Sequence, residues 1–289
     1  MFYTIADIVE QSTKLNIPIY ELMIEQEIEK TEKSRETIIA AMTKKYAVMK
    51  NAVKEGIQGV TTHSGFCGND AKRIWEYINQ GKYISDITLL KAVCYAIATN
   101  EVNASMGIIC ATPTAGSCGV LPGVLIAIQE KYNIPDEKII LHMFTAGAVG
   151  FVIANNASIS GAAGGCQAEI GSASAMTAAC ITELLGGTPT QTAHAMAMAL
   201  KNMLGLACDP LAGLVEVPCI KRNGAGASNA ILACELALAG VESKVPWDQV
   251  IESMYNIGLA MPAILKETSM GGLASTKIGE EWKNKLWKL

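Results

Sequence analysis

"IILHMFTAGAVGFVIANNASI", residues 139–159, is the longest apolar stretch of this chain, and its reading decides the fold. By length alone it is a candidate to cross a bilayer. His142 interrupts it near the start, however, and Asn155 and Asn156 stand where a helix over 136–155 would close. We read it as the buried core helix of a globular domain and expect no membrane contact. The rest of the composition agrees. Half of the 289 residues are hydrophobic and 17% are charged, yet aromatics make up only 6%, so the apolar mass is Ala, Ile, Leu, Val and Met. With β-branched alternation and aromatic pairs both thin, that mixture favours closely packed helices over sheets.

Upstream of this stretch, the first 55 residues are charged and amphipathic. In "SRETIIAAMTKKYAVMKNAVKEG" (34–56), Ile38, Met42, Met49 and Val53 fall largely on one helical face, and Gly56 is placed to end the run. Residues 1–55 are expected to form an outer helical layer within a single domain spanning 1–289. A short helix ending near Gly81 and another over 86–103 follow. Further helices are expected over 124–132, 168–185, 190–204, 226–240, 247–259 and 262–268, with a last one in the tail. Glycine, proline and hydroxyl residues mark structured loops at 56–70, 106–123 and 208–226. The fold class is all-α, a compact helical bundle with unusual Gly/Pro-rich loops.

A net charge of −4 without a basic patch argues against a nucleic-acid partner. The opening "MFYTIADIVEQ" has neither a basic nor an apolar leader pattern, and the nine cysteines are an odd number. Both point to a reducing compartment, the cytoplasm.

The cysteines sort into two groups. Cys94, Cys180 and Cys234 sit in "KAVCYAIA", "TAACITELL" and "ILACELALA", where each reads as a small core residue. Cys67, Cys110, Cys118, Cys166, Cys208 and Cys219 lie in or beside the glycine- and proline-rich segments. No Cys-x-x-Cys pair exists, which counts against zinc ribbons and ferredoxin-type carriers. Cys166, in "ISGAAGGCQAEIG" (159–171), stands between a glycine-rich turn and a predicted helix start, where backbone N–H groups stabilise a thiolate. Cys208 precedes Asp-Pro and Cys219 follows Pro218, so rigid backbone brackets both. These three are candidates to share a metal centre, and by the same criteria Cys118 in "TPTAGSCGVLPG" is nearly as good. His63 is the one histidine in a loop and the only candidate base among the three.

Four segments carry a family resemblance: "ATPTAGSCGVLPG", "NNASISGAAGGCQAEIGSASAMTAA", "NMLGLACDPLAGLVEVPCIKRN" and "KETSMGGLA". Together they resemble the α chain of the iron–sulfur-dependent L-serine dehydratases, over essentially the whole length. The resemblance implies an all-helical catalytic unit with a 4Fe–4S cluster on Cys166, Cys208 and Cys219, leaving Cys118 a neighbour of the site. It implies conversion of L-serine to pyruvate and ammonia, with an iron that no cysteine holds acting as Lewis acid on the substrate hydroxyl. Single-chain relatives carry a Ser-Ser-Ser-His-Thr stretch that this chain lacks, so a β-chain partner is expected to supply the base and to be required for activity. The tail "EEWKNKLWKL" has no cysteine of the kind with which some relatives cap the open iron.

For substrate contacts the candidates are Thr112, Thr114, Asn156 and Ser160, with Lys221 and Arg222 placed to pair with the carboxylate. Three rivals remain at this level. A cysteine desulfidase or related lyase would keep the cluster and change the substrate. An iron–sulfur redox sensor would show a reversible one-electron couple without lyase activity. A helical interaction module would bind no metal at all.

Overall fold

The computed structural model describes residues 1–288, and there the apolar runs resolve into thirteen helices. The N-terminal part is α1 (Ile5–Leu15), α2 (Ile19–Thr31) and α3 (Arg35–Gly56), followed by α4 (Asp70–Asn79) and α5 (Ile87–Ala104). Next come α6 (Val120–Tyr132), α7 (Asp136–Asn156), the single turn α8 (Gly161–Gly164), α9 (Ser172–Leu184) and α10 (Pro189–Lys201). The last three are α11 (Cys219–Leu238), α12 (Trp247–Ala260) and α13 (Lys277–Trp287). No strand occurs among the described residues, and the only β-type pairing is one isolated bridge, Cys208 with Lys266.

Three helices form the centre: α5, α9 and α11. Helix α9 reads "SASAMTAACITEL", and nearly all of it is buried between α7, α10 and α11. Its small side chains let three neighbours approach, which a Leu-rich helix would prevent. A polar tie fixes the crossing: Ser174 donates to Gly226 O at 2.9 Å, and Asn229 donates to both Ser174 Oγ and Ala199 O at 2.8 Å. Helices α5 and α6 meet more closely still. A Cβ on Gly119 would lie 2.0 Å from Ala96 O, and one on Gly123 would lie 2.7 Å from Ala92 O.

Helix α7 contains the stretch that opened the sequence reading. It is long and apolar enough to cross a membrane, but α9 and α2 cover it, and 61% of its most apolar window is buried. It is a core helix. Helices α1, α2 and α3 lie against α10, α7 and α5 respectively. Ion pairs Arg35–Glu21 and Lys50–Asp136 fasten that layer at its surface.

The structure departs from the expected elements at three places. Residues 262–268 are not a helix: Ala263–Leu265 make one tight turn, and Glu267 and Ser269 adopt left-handed φ of 63° and 54°. That backbone is committed to Cys208, so it cannot close i to i+4 bonds. Helix α11 starts at Cys219 instead of 226, so Lys221 and Arg222 lie in a helical first turn and not in a loop. Its Gly224 and Gly226 do not break it; they admit Val93 and Ile97, and Ile170 and Val120, at close range. Helix α6 starts four residues early, because Pro122 falls in its first turn where no N–H is needed. Gly56 does end α3, yet for packing: a Cβ there would sit 2.3 Å from Ala98 O.

Candidate metal and substrate site

The turn carrying Cys166 is wound as a π-helical stretch, Gln167–Gly171, before α9 begins. One extra residue per turn rotates the side chains that follow, and such turns recur at functional sites. Gln167, fully buried, anchors the turn. Its amide donates to Gly164 O and Met254 O at 2.9 and 3.0 Å, its oxygen accepts from Gly205 N at 2.9 Å, and its own N–H reaches Leu206 O at 3.0 Å. Cys166 is therefore fixed from three sides.

Cys208 is held by the segment 265–274. Its N–H donates to Leu265 O at 2.8 Å and its carbonyl accepts from Glu267 N at 2.7 Å. Beside it, Ser269 donates to Pro210 O at 2.7 Å and Leu273 N to Asp209 Oδ2 at 2.8 Å. Farther along, Trp287 of α13 donates to Ala212 O at 3.1 Å. Cys219 opens α11, and Asn223 one turn on donates to Cys219 O at 2.9 Å and Gly116 O at 2.8 Å while accepting from Gly119 N. That amide joins the 106–123 loop to the Cys219 turn.

The three thiols are buried and free of disulfide bonds. They sense one another. A hydrogen bond from the Cys208 thiol pulls Cys166 below the ordinary thiol range, and the Arg222 guanidinium adds to this against burial. The same bond raises Cys208 strongly, and burial raises Cys219. Arg222 is the cation of the site: it donates to Ala207 O at 2.7 Å and lies 2.9 Å from Asp209 Oδ1. Glu169 completes the cluster. Its Oε1 accepts from the Thr114 hydroxyl at 2.6 Å, its Oε2 stands 3.9 Å from Cys208 Sγ, and burial pushes its pKa up. No three His, Cys, Asp or Glu side chains among the described residues converge as ligands of a single ion.

Residues 14–274 match the family described as "Serine dehydratase alpha chain". The chain belongs to that family. It is 56% identical over 287 residues to the "Probable L-serine dehydratase, alpha chain" of Bacillus subtilis (strain 168), covering 99% of this chain and 96% of that one. It is 45% identical over 282 residues to the "L-serine dehydratase, alpha chain" of Peptoniphilus asaccharolyticus, covering 97% of each. Against "L-serine dehydratase TdcG" of Escherichia coli (strain K12) the identity is 46% over 183 residues, 62% of this chain and 40% of that longer protein.

In this serine dehydratase alpha chain family member the sequence candidates land in different places. Thr114 and Arg222 face the thiol cluster as described. Thr112 is buried and donates to Cys118 O at 3.4 Å. Asn156 lies at the exposed end of α7, where it donates to Tyr3 O and Val152 O, and Ser160 is exposed just before α8. Lys221 is paired with Asp70. His63 is exposed in a turn whose neighbour Ser64 donates to Glu216 Oε2 at 2.6 Å. Cys67 donates to the same oxygen. Cys118 is fully buried, accepts from Asn100 at 3.4 Å, and is raised by burial to about 12.

Sequence reading missed Glu169, although a signal was there. It is the only Asp, Glu, Lys or Arg between Lys138 and Glu183. The buried Glu101 was also missed; it accepts from Gly68, Asp70 and Ala71 N–H and so holds the 56–70 loop. A cavity of about 1100 Å³ is lined by none of the thiols. Its carboxylate, Glu183, accepts from Ile19 N and the Thr145 hydroxyl, in place of the side-chain cap that Pro18 cannot give α2.

Proposed function

We propose that this chain is the catalytic α chain of an L-serine dehydratase, converting L-serine to pyruvate and ammonia, with Cys166, Cys208 and Cys219 holding a 4Fe–4S cluster. The observation that carries the reading is the packing of the buried Cys166 and Cys208 thiols together, from distant segments, with buried Cys219 and the Arg222 guanidinium near enough for their charges to act on Cys166. The donor set fits such a group. Thiolates suit iron–sulfur clusters. Arg222 offsets part of the negative charge that deprotonating them creates.

When bound, the cluster supplies a Lewis-acidic iron that eases departure of the substrate hydroxyl. This chain's own residues do the positioning. The π-turn and Gln167 fix Cys166, the 265–274 segment fixes Cys208, and Asn223 fixes Cys219 relative to the Thr114 loop. The site assembled this way is mostly withdrawn from water, which strengthens every charge interaction inside it. The base that removes the α-proton is assigned to a β-chain partner; His63 is exposed in its turn and is the only candidate this chain offers.

The test is anaerobic reconstitution with iron and sulfide, for the wild type and for Cys166→Ala, Cys208→Ala and Cys219→Ala, then a pyruvate assay with β chain added. Iron bound by the wild type and lost in all three variants, with pyruvate formed from L-serine, supports the reading. A cluster that survives loss of one cysteine returns Cys118 as a ligand. Pyruvate and sulfide from L-cysteine, with none from L-serine, replaces this reading with a desulfidase.

A further inference from the structure

Resting on the serine dehydratase reading, we propose that Glu169 is the carboxylate that receives the α-ammonium of the substrate. The argument begins with charge. Among the described residues no lysine, arginine or histidine pairs with Glu169. Its one close donor is the neutral Thr114 hydroxyl. A half-buried carboxylate gains from a cation that meets it. The site's own cation is committed elsewhere, since Arg222 faces Asp209, Ala207 O and Cys166. Asp209 in turn is engaged by Arg222 and by Leu273 N. Glu169 is thus a carboxylate at the thiol cluster that no cation among the described residues meets.

Glycine backbone packs close to the carboxylate: a Cβ at Gly116 would lie 3.1 Å from Oε1, and one at Gly161 would lie 2.7 Å from Oε2 and 2.9 Å from Cys208 Sγ. A side chain at either position would cover the carboxylate or part it from the thiol. Thr114 holds the other oxygen, so the carboxylate presents a fixed face and pays little ordering entropy on binding. The π-turn explains how a residue three past Cys166 points here at all.

The experiment compares wild type with Glu169→Gln, both reconstituted anaerobically and assayed with β chain. It uses L-serine and β-hydroxypropanoate, which is L-serine without its amino group, as competitor. The expected result is unchanged iron content and an unchanged inhibition constant for β-hydroxypropanoate, with KM for L-serine raised at least about tenfold. Glu169→Asp, which keeps the anion, recovers part of that loss. An iron content that falls in Glu169→Gln overturns the assignment and ties the carboxylate to the metal. So does a KM that does not move, or a loss of β-hydroxypropanoate binding in step with L-serine. No pyruvate from the wild type itself strikes the serine dehydratase reading first, and the ammonium assignment falls with it.

Discussion

Replacing Gly123 by alanine tests whether close helix contact, and not helix propensity, governs this core. In an ordinary helix the change is favourable by about 1 kcal/mol, because alanine loses less backbone entropy. Here the new Cβ would lie 2.6 Å from Ala96 N and 2.7 Å from Ala92 O, well short of the 3.4 Å at which ordinary contact begins. The obstructing atoms are the backbone of α5, which no rotamer change can move aside. Overpacking of this kind costs about 1–3 kcal/mol, and a backbone obstacle belongs at the upper end. Gly123→Ala is therefore expected to lose about 2 kcal/mol net. Gly147 on α7 is the control, since its Cβ would meet nothing within 4 Å. Gly147→Ala should gain about 0.5–1 kcal/mol. Urea unfolding of the purified chain reads both, with midpoints moving in opposite directions at constant slope. A Gly123→Ala midpoint at or above wild type would refute the reasoning.

Three further expectations follow the same logic. Gln167→Leu strands Gly205 N–H and two carbonyls, so it should cost about 3 kcal/mol and speed iron release to a chelator. Glu101→Ala should cost about 3 kcal/mol and expose the Gly68, Asp70 and Ala71 amides to hydrogen exchange, which mass spectrometry would detect. Burial lowers the pKa of His142, so the unfolded chain binds the extra proton first and stability falls as pH drops below the unfolded value of about 6.5. His142→Phe should remove that component, by up to about 1.4 kcal/mol per pH unit, in denaturation curves compared between pH 7 and pH 5.

The helical class was legible because period, composition and the two asparagines closing 139–156 agree. The central helices carry their own signals, and α7 and α12 fall within two residues of the expected bounds. What failed did so where tertiary partners take over the backbone. Nothing local in "KETSMGGLA" says that its Glu267 N–H, with the Leu265 C=O just before it, belongs to Cys208. Similarly, "KRNGAG" looks like a loop until Val93, Ile97 and Ile170 are seen to need the room its glycines leave. Glu169 was hidden by its neighbours: the cysteine drew attention, while the lone acid three residues later carried the charge argument.

The bridge between Cys208 and Lys266 bears on how such a protein is made. A metal motif with two nearby cysteines can close around its ion while the chain is still emerging. Here each thiol is fastened by residues remote in sequence: Leu206 for Cys166, Leu265 and Glu267 for Cys208, Gly116 through Asn223 for Cys219. The grip on Cys208 does not exist until Leu265 and Glu267 have been synthesised and docked. Under the proposed cluster, maturation would be a matter of sequence in time, with folding first and iron last.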